Sequence, residues 1–132
     1  MFAISSQSDY GLIIVSSLFK KKGFVPLVEL VKDTKLPLRF LARIAATLAK
    51  NNILESREGR EGGYKLAKKL SEISLYDFLK IFDDDIELCK CCGEGYKCEY
   101  KRICHHGSFL HNKLSKILNN NLKEIKLSEV FS

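Results

Sequence analysis

Over residues 6–22 the apolar positions recur at helical spacing, with Leu12, Val15 and Phe19 on one face. The spacing predicts a helix, opened by Ser6-Gln7-Ser8-Asp9 as a capping box and ended at Gly23. Pro26 opens a second, shorter helix with Leu27, Leu30 and Val31 turned inward. Thr34-Lys35-Leu36 reads as a tight turn. Pro37 then stands at the first position of a third helix running to about residue 50, with Leu38, Leu41, Ile44, Ala45 and Leu48 as its buried face. Asn51-Asn52 stops it. Residues 53–57 and 64–67 read as two short strands, and Glu58-Gly59-Arg60-Glu61-Gly62-Gly63 as the glycine-rich tip of a β-hairpin. Ser74-Leu75-Tyr76-Asp77 is a second capping box, starting a helix that carries Leu75, Phe78, Leu79 and Phe82. A last helix is expected from about residue 105 to 124. Its stripe is Leu110, Leu114, Ile117 and Leu118, extended by Leu122 and Ile125.

This pattern predicts a mainly α fold with a small β-hairpin: a winged helix-turn-helix plus a long C-terminal dimerisation helix. The expected division is 1–82 as a DNA-binding domain, 83–104 as a cysteine-rich loop, and 105–132 as the dimerisation helix and tail. Residues 1–70 already offer enough apolar residues for a small core. A further amphipathic helix is then best explained as a seam between two copies. Symmetry would set two reading helices about 34 Å apart, one turn of DNA.

Charge sharpens this division. Residues 1–70 hold 13 Lys/Arg against 6 Asp/Glu, a net of +7, while residues 71–132 hold 9 against 10, a net of −1. The whole chain carries +6. A basic half built as a winged helix points to double-stranded DNA. With the apolar face of the third helix buried, Arg39, Ala42, Arg43 and Ala46 point outward. Arg39 and Arg43 lie four apart and stand one above the other. Arginine reads guanine O6 and N7 in the major groove or pairs with phosphate. The small Ala42 and Ala46 permit close approach, and Arg57 and Arg60 flank the hairpin tip. The bland reading of the same residues is a solvated basic helix and an ordinary hairpin; the constellation favours DNA.

The near-neutral half holds all five cysteines, Cys89, Cys91, Cys92, Cys98 and Cys104, with His105 and His106 beside them. The N-terminus has no basic leader region, and no stretch is long and apolar enough to span a membrane. A cytoplasmic protein is expected. In a reducing compartment, clustered cysteines in odd number favour metal or redox chemistry over a disulfide scaffold. Thiolates suit zinc and iron–sulfur clusters. Cys89 and Cys92 form a C-x2-C pair, and Cys98, Cys104, His105 or His106 could complete a zinc site. Cys92, Cys98 and Cys104 instead fall at equal intervals, C-x5-C-x5-C. On spacing alone the two metals stand level, with a metal-free thiol switch as a further reading. Asp83-Asp84-Asp85 reads as a solvated helix end, and His111 as a surface or interface residue.

Three motifs carry a resemblance. Ser8-Asp9-Tyr10-Gly11-Leu12 resembles the opening of the Rrf-two family of bacterial transcription regulators, the group of IscR and NsrR. Arg57-x-Gly59-x-x-Gly62-Gly63-Tyr64-x-Leu66-Ala67 resembles that family's wing signature. Cys92-x5-Cys98-x5-Cys104 resembles its cluster-binding loop. The motifs stand in the family's order and span nearly the whole chain. The resemblance implies a homodimer built on the last helix, binding a pseudo-palindromic operator. It also implies an iron–sulfur cluster held by Cys92, Cys98 and Cys104. IscR-like members add a histidine three residues after the last cysteine and hold 2Fe–2S; that position here is Gly107, with His105 and His106 close by. NsrR-like members hold 4Fe–4S and add an aspartate near the N-terminus of the other subunit; Asp9 is at the matching position. The resemblance is closest to these, so 4Fe–4S with Asp9 is expected, His105, His106, Cys91 and Cys89 being alternative ligands. The function implied is a repressor that senses nitric oxide, redox state or iron–sulfur status.

Two other classes remain. One is a regulator whose loop binds zinc or acts as a thiol switch. The other is a basic iron–sulfur electron carrier or metallochaperone without sequence-specific DNA binding. The chain shows no Ser/His/Asp arrangement, Walker loop or paired catalytic carboxylates, so an enzyme is not expected.

Overall fold

The computed structural model describes residues 4–83, 99–100, 102–106 and 109–131. Its first helix, α1 (Ser6–Phe19), starts at Ser6 as expected, but its cap is Ser5, one residue before the expected one. The Ser5 hydroxyl accepts from the Ser8 N–H at 3.2 Å, so the Ser6–Asp9 capping box does not form. Capping by Ser5 turns Ser8 fully inward, where its hydroxyl donates to the Asp83 carboxylate at 3.2 Å. It leaves Asp9 exposed. The helix also ends sooner than residue 22, because Lys21 N–H turns back to the Leu18 carbonyl at 3.1 Å.

The buried face of α1 is rotated from the expected one. Gly11, Ile14, Val15 and Leu18 are buried, whereas Phe19 is 49% exposed and leans on Phe131 at 6.4 Å between centroids. The apolar run 12–15 allows several registers, and Gly11 selects one. A Cβ there would stand 2.9 Å from Phe82 Cε2 and 3.2 Å from Phe78 Cζ. The missing side chain is what lets the later helix approach.

α2 (Leu27–Thr34) follows Pro26 and buries Leu30, with Leu27 and Val31 packed against the core. Its turn into α3 (Leu38–Lys50) is set by Lys35, in left-handed conformation at φ 60°. α3 buries Leu41, Ile44, Ala45 and Leu48 as expected, but Leu38 is 52% exposed. Pro37 is the cap rather than the first helical residue, so Leu38 begins the helix before the inward stripe does.

β1 (Leu54–Arg57) and β2 (Gly63–Leu66) pair antiparallel, with Leu54 opposite Leu66 and Arg57 opposite Gly63. Val25 adds a one-residue bridge to Tyr64. After a short 3-10 turn at Leu70–Glu72, Ser74 caps α4 (Leu75–Phe82) by accepting from the Asp77 N–H at 3.1 Å. Of the expected α4 face, Phe78 and Leu79 are buried, and Leu75 and Phe82 pack partly against the core.

The C-terminal part departs from one regular helix. Leu110–Leu114 is a π-helical turn, in which Ser115 N–H and Oγ both bond to the Leu110 carbonyl. α5 (Ser115–Glu124) then packs against α4. α6 (Leu127–Val130) closes the chain. Residues 105 and 106, expected inside the helix, lie before it. Within α5 Leu122 is buried, while Ile117, five residues before it and so about 140° round the helix, is 49% exposed. The tail docks through a bridge between Ser74 and Lys126, with Leu75 N–H on the Ile125 carbonyl at 2.8 Å and Leu127 N–H on that of Ile73 at 2.9 Å. Leu127 is thereby fully buried among Ile14, Leu30, Leu41, Leu48 and Phe78, in one core with the winged domain. No helix among the described residues is long and apolar enough to cross a membrane.

Candidate nucleic-acid interface and metal centre

Two elements present the candidate DNA contacts. On α3, Arg39 and Arg43 are exposed, one turn apart, opposite the buried Leu41, Ile44 and Leu48. Ala46 is exposed and Ala42 half-buried between them. The Arg43 guanidinium lies over the Phe40 ring, 5.6 Å from its centroid. Phe40 in turn meets Tyr10 of α1 edge to face at 4.8 Å. This α1–α3 contact was not foreseen from the sequence, where Phe40 belongs to neither the buried nor the reading face.

On the hairpin, Arg57 ends β1 and Arg60 stands in the tip, both exposed. The tip is closed by Gly62 N–H on the Gly59 carbonyl at 3.0 Å. Its base is pinned by Val25, whose N–H and carbonyl each bond to Tyr64 at 2.9 Å. Gly63 makes that approach possible. It adopts φ 144°, and a Cβ there would stand 2.1 Å from the Val25 carbonyl oxygen. Gly63→Ala should therefore cost at least about 2 kcal/mol of stability in urea unfolding, from backbone strain and overlap together. Its folded fraction should also bind DNA more weakly, because the hairpin no longer sits at its anchor.

The α1–α2 side carries a compact ion network. Lys21 pairs with Glu29 at 2.9 Å and with Asp33, and Ser17 donates to Asp33. The hydrogen bond from Lys21 holds the Asp33 carboxyl below its ordinary range, and the same contacts raise the Lys21 ammonium. The network braces α2 against α1 and leaves Arg39 and Arg43 out of it. Among the described residues neither arginine has a carboxylate partner.

Of the expected metal ligands, Cys89, Cys91, Cys92 and Cys98 lie outside the described residues, as do Asp84 and Asp85. Cys104 is half-buried, with its Sγ 3.6 Å from His106 Nδ1; His105 is exposed beside it. That sulfur–nitrogen separation fits two ligands on one metal, given metal–sulfur and metal–nitrogen bonds of about 2.3 and 2.0 Å. Asp9 is on the first turn of α1. Its competing role in a capping box is absent, and among the described residues its carboxylate has no hydrogen-bond or ion-pair partner. Its neighbours point two ways: Ser8 bonds to Asp83, where the cysteine loop begins, and Tyr10 packs on Phe40 of α3.

The comparisons agree with this architecture. A family model described as Rrf2, iron-dependent transcriptional regulator, matches residues 4–132. The HTH-type transcriptional regulator NsrR of Shouchella clausii is 29% identical over 118 residues, 87% of this chain and 79% of that protein. The HTH-type transcriptional regulator IscR of Escherichia coli O1:K1 / APEC is 27% identical over 121 residues, 89% of this chain and 75% of that protein. Among solved structures, CymR, the global cysteine regulator of B. subtilis, superposes with a TM-score of 0.74 at 20% identity, covering 99% of this chain and 97% of that one. With a family model matched along nearly its whole length, this chain belongs to the Rrf2 family of transcriptional regulators.

Proposed function

We propose that this regulator is governed by an iron–sulfur cluster, 4Fe–4S in type, held by Cys92, Cys98 and Cys104 of one subunit and Asp9 of the other. The observation that carries the reading is the state of Asp9. Its carboxylate is exposed, released from capping by Ser5, and set between the residue that touches the loop entry and the residue that touches α3. The donor chemistry fits: three thiolates bind iron strongly, and a carboxylate is a harder, more exchangeable fourth ligand. A bound cluster would supply an iron centre reactive toward nitric oxide, oxygen and redox change.

The chain's own part is mechanical. Holding Asp9 fixes the first turn of α1. That turn is fastened to the loop entry through Ser8 and Asp83, and to α3 through Tyr10 and Phe40. Releasing Asp9 removes that added restraint from a turn that keeps both contacts, and changes how Arg39 and Arg43 are presented. Such coupling shifts DNA affinity only to the extent that the two arrangements bind DNA differently. The setting is a cytoplasmic homodimer acting as a repressor on a pseudo-palindromic operator, with Arg39, Arg43, Arg57 and Arg60 on the DNA.

A second reading is favoured by the closeness of Cys104 and His106, a nitrogen–sulfur pair that also suits zinc. Anaerobic purification with iron, sulfide and zinc analysis separates the two. Wild-type protein is expected to be brown, with about four irons per chain, and Asp9→Ala to lose iron or change the visible spectrum. Two irons unaffected by Asp9→Ala would place the fourth ligand at His105 or His106. A colourless protein with one zinc would replace the cluster by a structural or thiol-switch loop.

A further inference from the structure

Phe24 is half-buried in the turn between α1 and α2, yet it is not among the residues packed against the hydrophobic core. Its ring instead lies under two cations of the hairpin. Arg57 Cζ is 5.4 Å from the ring centroid and Lys65 Nζ is 4.8 Å from it. Ladder geometry explains why the ring is there. Glu55 opposes Lys65 and Arg57 opposes Gly63, so Glu55, Arg57, Gly63 and Lys65 share one face of the hairpin. Gly63 has no side chain, which leaves Arg57 without a cross-strand neighbour to lean on. Phe24 supplies that missing surface. Its own backbone is fixed to the hairpin, since the next residue, Val25, exchanges two hydrogen bonds with Tyr64.

We propose that Phe24 is a positioning residue for the wing: its ring holds Arg57, together with Lys65, in the place from which the wing meets DNA. The proposal rests on the reading of Arg57 as a DNA contact. An unheld arginine must lose rotamer freedom when it binds phosphate or enters a groove. One already laid on an aromatic face has lost part of that freedom. Lys65 also pairs with Glu55 at 3.7 Å, which offsets its charge, so the cation the ring holds for an anion is that of Arg57.

The test uses the full chain and a duplex enriched from a randomised pool by the wild-type protein. Phe24→Leu should weaken binding about twofold to fivefold, the size of a cation–π contact near the surface, and Phe24→Tyr should restore it. In an Arg57→Ala background Phe24→Leu should cause no further loss. In the free protein, the Arg57 side-chain protons should be shifted upfield by the ring in wild type and Phe24→Tyr, and not in Phe24→Leu. Equal losses from Phe24→Leu with and without Arg57, or unshifted Arg57 protons in wild type, would overturn the proposal while leaving the wing as a DNA contact. Undiminished binding by Arg57→Ala would sink the wing reading itself, and the proposal with it.

Discussion

Arg39→Ala combined with Arg43→Ala should abolish sequence-specific DNA binding while leaving the fold intact. Each bidentate arginine–guanine contact is worth about 1–3 kcal/mol, so the pair should lower affinity for a selected duplex on the order of a hundredfold or more. Both side chains are exposed on α3, opposite its core face, so the melting temperature should barely move. Fluorescence anisotropy on two duplexes, one selected by the protein and one of scrambled sequence, tells base reading from phosphate contact. A large loss on the selected duplex and a small one on the scrambled duplex means base reading. Equal losses on both, with a shallower salt dependence, mean that the arginines only hold phosphates. No loss on either would remove the outer face of α3 from the interface, and leave the hairpin arginines Arg57 and Arg60 as the candidate contacts.

The elements of the winged domain were legible because their signals are local. Pro26 and Pro37 precede helices, Ser74 caps α4, and glycines bound the hairpin where positive φ or close approach demands them. The face of α1 was not legible from its own residues. Leu12, Val15 and Phe19 satisfy helical spacing as well as Gly11, Val15 and Leu18 do. What decides is the approach of Phe78 and Phe82, some seventy residues away, onto Gly11. A different distant residue, Asp83 at the end of α4, bears on the misplaced cap. Ser5 and Ser6 are equally good N-caps by composition, and the bond from Ser8 to Asp83 selects Ser5. In the last helix the apolar stripe is real but the π turn is silent in the sequence. It inserts extra residues into one turn without any proline or glycine inside it. The candidate residues on α3 and the hairpin were readable as exposed basic positions. The aromatic support beneath Arg57 was not, because Phe24 reaches it from another element, whereas that beneath Arg43 is its i,i+3 neighbour Phe40 on the same helix and was open to reading.

The C-terminal tail offers the largest expected effect on stability. Leu127→Ala should destabilise the protein by about 2–5 kcal/mol, the usual cost of emptying a buried leucine site. That is a large share of the 5–15 kcal/mol typical of a whole domain. Leu127 is fully buried although it stands near the end of the chain, and its backbone is tied to Ile73. Val130, three residues on, is 42% exposed, and Val130→Ala should change stability by less than about 0.5 kcal/mol. Urea unfolding of the two variants makes the comparison. If both were mild, the tail would not hold its docked position in solution. If Leu127→Ala is severe, α5 is held at its C-terminal end, by Leu122 against the domain and by the tail beyond it. The stripe then divides its labour. Leu127 completes the core within the chain and Leu122 is buried on α5, while Ile117 is exposed, where the proposed homodimer would place a second copy.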